Sequence, residues 1–189
     1  MMSLLRYRRL LHKCLFVFLL GCVTCAAWAQ SSNAVERQVK AAYLLKFGNY
    51  VDWPPEAFAQ NDRSFQIGIL GADDLADELA QMVVGRSVNG RNITVRKLRS
   101  ADSAENVNLL YIGEQSGARL AEQLRQLQGK PVLLVTESAQ ALAHGSMINF
   151  VQVDGRLRFE VAPKNAANER LNISARLLAV AYMVKADPS

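Results

Sequence analysis

The chain has 189 residues, with 22 Lys and Arg against 17 Asp and Glu and a formal charge of +5. That length fits one domain of the usual size, about 100–200 residues. Four of the basic residues, Arg6, Arg8, Arg9 and Lys13, lie in the first 29 positions, which hold no acid, so the remainder carries 18 basic against 17 acidic residues and the high pI gives no argument for a nucleic-acid partner.

The N-terminal segment has the parts of a secretory signal. A basic stretch from Arg6 to Lys13 precedes an apolar core from Cys14 to Leu20, and Ala27-Trp28-Ala29 supplies a small-x-small cleavage site. Residues 1–29 are therefore expected to be a signal peptide, and export is expected to place the chain in the periplasm. Leu19-Leu20-Gly21-Cys22 offers a competing lipobox with Cys22 lipidated, but Leu20 fits that motif poorly just before the glycine. All three cysteines, Cys14, Cys22 and Cys25, fall inside this segment. The processed chain then has no thiol, which excludes disulfides, cysteine nucleophiles and zinc–thiolate sites.

Residues 30–34 form a polar tether, and a single domain is expected over 35–185. VERQVKAAYLLKFGNYVDW places Val35, Val39, Ala42, Tyr43, Phe47, Tyr50 and Val51 near one helical stripe, ended by Pro54-Pro55. Ser64 to Leu70 reads as a strand, Asp73 and Asp74 open a helix through Leu75, Leu79 and Val83, and Asn89-Gly90 is a turn before a strand from Asn92 to Leu98. Val107 to Ile112 and Val132 to Thr136 are short apolar strands, separated by a helix from Ser116 to Gln128 with Leu120, Leu124 and Leu127 on one face.

A short helical turn through 139–143 leads to two apolar runs, Met147 to Val153 and Leu157 to Val161, joined by Asp154-Gly155, the strongest short-range hairpin signal. After Pro163, the spacing of Leu171, Ile173, Leu177, Leu178 and Tyr182 predicts a closing amphipathic helix. Strands alternating with helices, then an antiparallel pair, argue for an α/β sandwich: a mainly parallel sheet with a C-terminal hairpin and helices on both faces.

No catalytic, cofactor or metal grouping stands out. Gly68-Ile69-Leu70-Gly71 lacks the full dinucleotide fingerprint, and Asp73-Asp74 would repel a pyrophosphate. His144 is the one histidine of the processed chain and has no visible orienting partner, so a hydrolase built on it is the weakest of the functional readings. Arg86, Arg91 and Arg96 form a candidate anion surface, because clustered guanidinium suits carboxylate or phosphate. Trp53 and Phe58 are candidate anchors of an apolar partner surface.

Four stretches together resemble the YfiR-like family of periplasmic proteins: VKAAYLLKFGNYVDWP (39–54), IGILG (67–71), HGSMINFVQVDGRLRFEV (144–161) and LNISARLLAVA (171–181). The resemblance spans the whole processed chain in order. It implies a non-enzymatic regulator without cofactor that binds the periplasmic sensor region of an inner-membrane diguanylate cyclase and represses it, lowering cyclic-di-GMP and biofilm formation. It also implies an outer-membrane lipoprotein that sequesters the regulator, with a second copy of the chain as a further candidate partner. The alternative is an anion-binding accessory protein of another membrane sensor, such as a histidine kinase. Asn149, Arg158 and Glu160 fall in the family's G-x-M-I-N-F and R-F-E motifs and are expected to be structural. The resemblance implies disulfides in the family, with Gly68 and Val107 at one pair and Leu142 and Asn149 at another. None of these is cysteine here, so redox control is not available to this chain.

Overall fold

The computed structural model describes residues 33–58, 64–104, 106–114 and 117–185. The expected signal segment, with all three cysteines, and most of the expected tether lie outside them. Met1–Arg37 forms one unit and Gln38–Ser189 the other, and the sheet and its packing belong to the second.

Helix α1 runs over residues 33–49, starting two residues before the expected Val35. Its buried positions are Ala41, Leu44, Leu45 and Phe47, while Val39 and Tyr50 of the expected stripe are exposed. Pro54-Pro55 is not the terminator. The helix closes in a turn, Tyr50 N–H donating to the Phe47 carbonyl. The chain then extends into strand β1 (Val51–Asp52), which pairs antiparallel with β9 (Asn172–Ile173). Val51 is thus buried through a strand and not through the helix stripe.

The main sheet holds eight strands: β2 (Ser64–Leu70), β3 (Ser87–Val88), β4 (Arg91–Leu98), β5 (Leu109–Ile112), β6 (Leu133–Thr136), β7 (Ile148–Val153), β8 (Arg156–Val161) and β10 (Met183–Val184). Their spatial order is β10-β8-β7-β6-β5-β2-β4-β3. The run from β4 through β2, β5 and β6 to β7 is parallel, and β7–β8 and β3–β4 are antiparallel. All but the first residue of β2, and every residue of β5 and β6, are buried, as strands covered on both faces must be.

Helix α2 (Asp73–Met82) carries the chain from β2 to β4, and α3 (Gly117–Arg125) carries it from β5 to β6. The two crossovers run in opposite directions along the sheet, so a right-handed connection for each puts these helices on opposite faces. The expected mainly parallel α/β architecture is what the sheet shows, with the C-terminal hairpin in place. The hairpin is not the sheet's edge, however, since β10 adds outside it.

The expected closing helix does not exist as one element. Helix α4 (Pro163–Asn168) stops after six residues, with Arg170 left-handed at φ 62° and Leu171 N–H bonded to the Ala166 carbonyl. Leu171 and Ile173 then lead through β9 into α5 (Ala175–Leu178), whose cap Ser174 accepts from Leu177 N–H. Tyr182 lies in the run into β10, donating its N–H to the Phe159 carbonyl.

One aromatic cluster ties the first helix to the hairpin. Phe47 meets Phe150 and Phe159 at 5.9 and 5.2 Å between ring centroids, and Tyr43 meets Phe159 at 5.3 Å. Offset and edge-on pairs of this kind add about 0.5–1.5 kcal/mol each beyond area burial.

Gly68 and Val107, the positions assigned to a disulfide in the family, are neighbours here. A Cβ on Gly68 would lie 3.2 Å from Val107 Cγ1, 3.2 Å from Leu110 Cδ1 and 2.7 Å from Leu98 Cδ1. Aliphatic packing fills the place of a covalent link. Gly68→Ala is expected to lower stability by about 1 kcal/mol, at the small end for overpacking because the nearest atom is a leucine methyl that can turn away. Urea unfolding of the two proteins measures this.

Candidate functional site

The family motif residue Asn149 braces the sheet. It is buried, and its Oδ1 accepts from Thr136 Oγ1 at 2.8 Å and from Ser138 N–H at 3.1 Å. The Thr136 and Ser146 hydroxyl oxygens are 2.8 Å apart, and with the Thr136 proton on Asn149 the Ser146 hydroxyl donates either to Thr136 Oγ1 or to the Ile148 carbonyl at 2.9 Å. Asn165 Nδ2 reaches across from α4 to the carbonyls of Leu142 and Ser146. The amide that interrupts the apolar run therefore sits where β6 ends and β7 begins, tying the two strands and the turn between them. Lys40 on α1 forms an ion pair with Glu137, one residue beyond β6. These bonds brace the region.

A second buried amide drew no notice in the sequence. Asn108 Oδ1 accepts from Gln66 N–H and its Nδ2 donates to the Ala57 carbonyl, both at 2.8 Å. It fastens the start of β5 to β2 and to the 3-10 turn Pro55–Phe58.

The aromatic residues proposed as exposed anchors are drawn inward. Phe58 is 9% exposed and lies beneath Arg91, whose guanidinium carbon stands 3.9 Å from the ring centroid. Trp53 is half-buried, edge-on to Phe65 at 5.1 Å and to Phe58 at 6.3 Å, with its indole N–H on the Gly48 carbonyl. An apolar ring this large, next to a core, gains more from packing than it would from standing in water. These two rings do not form the exposed patch expected of them.

The three candidate anion-binding arginines do not share one surface. Arg91 and Arg96 stand five positions apart on β4, so the pleat sends them to opposite faces, while Arg86 lies in the loop after α2. Of the charges nearby, Lys97 pairs with Asp77 of α2 at 2.7 Å, and that carboxylate raises the Lys97 pKa above its ordinary value.

His144 is exposed at the end of the 3-10 turn Ala141–His144. The crevice at the carboxyl ends of β2 and β5, where connections leave in opposite directions, is the usual ligand position of an open α/β sheet. Here it is filled. Gly113 N–H bonds the Leu70 carbonyl at 2.9 Å, and a Cβ on Gly113 would lie 2.8 Å from the Gly71 oxygen. Among the described residues no cluster of three or more His, Cys, Asp or Glu could hold a metal ion, and no helix is long and apolar enough to cross a membrane.

A run of exposed apolar residues lies at the end of the sheet. Val180, Tyr182, Met183 and Val184 are 67%, 53%, 49% and 42% exposed, on and just before edge strand β10. Beside them a groove of about 450 Å³ is lined by Val153, Asp154, Arg156, Arg158, Val180, Ala181 and Tyr182. Arg158, expected to be structural, is exposed in this groove, and among the described residues no ion pair engages Arg156, Arg158 or Glu160. A two-residue edge strand is too short to stand out in the sequence, which is why this surface escaped notice there.

Among solved structures, the chain is similar to a conserved domain protein from Vibrio cholerae O1 biovar El Tor strain N16961. Identity is 10% and the TM-score 0.46, over 68% of this chain and 57% of that one. The family model described as YfiR/HmsC-like matches residues 37–182. That match takes in the aromatic helix, the whole main sheet up to its last strand, and the buried Asn149 brace, and by it the chain belongs to the YfiR/HmsC-like family.

Proposed function

We propose that this chain is a periplasmic, non-enzymatic regulator that binds the sensor region of an inner-membrane diguanylate cyclase and holds the enzyme inactive. Repression of diguanylate cyclases is the activity of YfiR/HmsC-like proteins, and membership of that family is the observation that carries the reading. The exposed apolar run from Val180 to Val184 supports it, because apolar side chains exposed together at a sheet edge are available for a partner to cover. Binding represses by differential affinity: the regulator lowers cyclase output to the extent that it prefers the inactive conformation. A preference of about 100-fold suffices to turn an evenly balanced enzyme nearly off. An outer-membrane lipoprotein competing for the regulator would reverse this by mass action.

The test is removal of the gene from its host, followed by measurement of cyclic-di-GMP and biofilm mass. Both should rise and return to the starting level when the exported protein is supplied again. Unchanged cyclic-di-GMP on removal overturns the proposal.

A further inference from the structure

The two edges of the main sheet are finished differently. At one end, β3 covers just Arg91 and Asn92 of β4, and the remainder of that strand carries Arg96 and Lys97, charges of the kind that discourage strand addition. At the other end the segment Val180–Val184 has no charged residue. Strand β10 has one neighbour, β8, paired parallel through Met183↔Glu160 and Val184↔Val161. β8 has four residues before those that β10 pairs, so its edge from Arg156 to Arg158 has no strand beside it, and the groove that holds Arg156, Arg158, Val180 and Tyr182 adjoins it. The groove walls hold two guanidinium groups and one carboxylate, Asp154.

We propose that this edge takes up an extended segment of the partner protein in which apolar residues alternate with carboxylates. The proposal rests on the regulator reading above and specifies how the partner is held. The segment runs in line with β10 along the open edge of β8, sets an apolar side chain against Val180 and Tyr182, and places carboxylates on Arg156 and Arg158. Main-chain pairing supplies affinity, and the side-chain contacts supply selectivity. Alternation is required because successive side chains of an added strand point to opposite faces. Acidity follows from the groove's own excess of positive charge and from the geometry of guanidinium, which receives a carboxylate through two parallel hydrogen bonds. Two-fold pairing of two copies along this β8 edge would bring Arg156 and Arg158 of both together, and like charges across an interface are strongly disfavoured.

The experiment uses the processed chain and a fluorescein-labelled, end-blocked peptide of alternating valine and glutamate, followed by fluorescence anisotropy. Three comparisons accompany it: a valine–lysine peptide, the valine–glutamate peptide N-methylated at its central residues, and the Arg156→Glu/Arg158→Glu variant. The acidic peptide should bind. Its affinity should fall about tenfold or more on charge reversal, since close charge pairs are worth that much. The lysine and N-methylated peptides should bind poorly. Equal binding of either control peptide to the unaltered protein overturns the proposal even if the variant fails to fold, and so does a variant that folds and binds the acidic peptide undiminished. Concentration-dependent dimerisation that displaces the acidic peptide also overturns it.

The same variant separates this inference from the regulator reading. If peptide recognition holds and gene removal leaves cyclic-di-GMP unchanged, the cyclase reading falls and the edge site stands. If gene removal raises cyclic-di-GMP and the variant represses as well as the unaltered protein, the edge site falls and the regulator stands.

Discussion

Asn149→Ala is expected to lower the unfolding free energy by about 3 kcal/mol, the largest single effect anticipated outside the aromatic core. Truncation removes the acceptor of two buried donors, Thr136 Oγ1–H and Ser138 N–H, in a place that bulk water does not reach. A stranded buried donor costs about 1–3 kcal/mol, more than the net worth of the bond when made. Thr136→Val removes one of those donors together with its contact to Ser146. The two substitutions should therefore be non-additive, the double variant losing less than the sum of the singles, because the second change removes a donor that the first had stranded. Urea midpoints for the four proteins measure the cycle. A loss under roughly 0.5 kcal/mol for Asn149→Ala, the range of an ordinary surface change, would show that the amide braces nothing.

Gly113→Ala should cost about 2–3 kcal/mol, more than Gly68→Ala, although both introduce a single methyl group. The difference lies in what the methyl meets. At Gly68 the nearest atom is the end of a leucine side chain, which can rotate. At Gly113 the methyl meets the carbonyl oxygen of Gly71 at 2.8 Å and its carbon at 3.3 Å, backbone atoms held at the ends of two paired strands. Relief requires β2 and β5 to part at their carboxyl ends, which breaks the Gly113 N–H bond to Leu70. Amide exchange at Gly71 and residue 113 should accelerate in the variant, and its urea midpoint should fall below that of Gly68→Ala. The reverse order would mean that this end of the sheet yields easily.

Those elements whose local chemistry and burial agree were readable in the sequence. Asp154 and Gly155 adopt φ of 49° and 67°, the paired positive values that a two-residue hairpin turn demands, and the flanking strands pair in the expected register from Ile148↔Val161 to Val153↔Arg156. Strands β2, β5 and β6 were legible as apolar runs too short for helices. Short elements made by distant partners were not. Val51 and Ile173 each sit in a stretch with helical spacing, yet each is buried by the other across a two-residue ladder. Periodicity cannot see a partner of that kind. The closing helix failed for a related reason, because three pieces in series place Leu171, Ile173, Leu177 and Leu178 at intervals that imitate one helical face.

The functional surface was less legible than the fold. Large aromatics attracted attention as anchors, but Trp53 and Phe58 sit where the sheet can bury them, and Arg91 covers what remains of Phe58. The groove depends on β10 stopping short along β8, a matter of strand length that no residue type announces. Asn149 could be singled out because an amide interrupting an apolar run needs partners. Asn108 could have been found by the same rule, applied to the boundary of a run instead of its interior.

The small ladder between β1 and β9 also bears on how the protein comes to be folded. Asp52 and Asn172 are 120 residues apart along the chain, and the helix preceding β1 stacks its rings on the hairpin formed by β7 and β8. Contacts of such separation raise the contact order and slow folding, because the loop must close before the contact repays it. While the chain is emerging, the face of α1 that carries Phe47 has no hairpin to cover it. A fold whose first helix waits for its last strands closes only when nearly the whole chain is available.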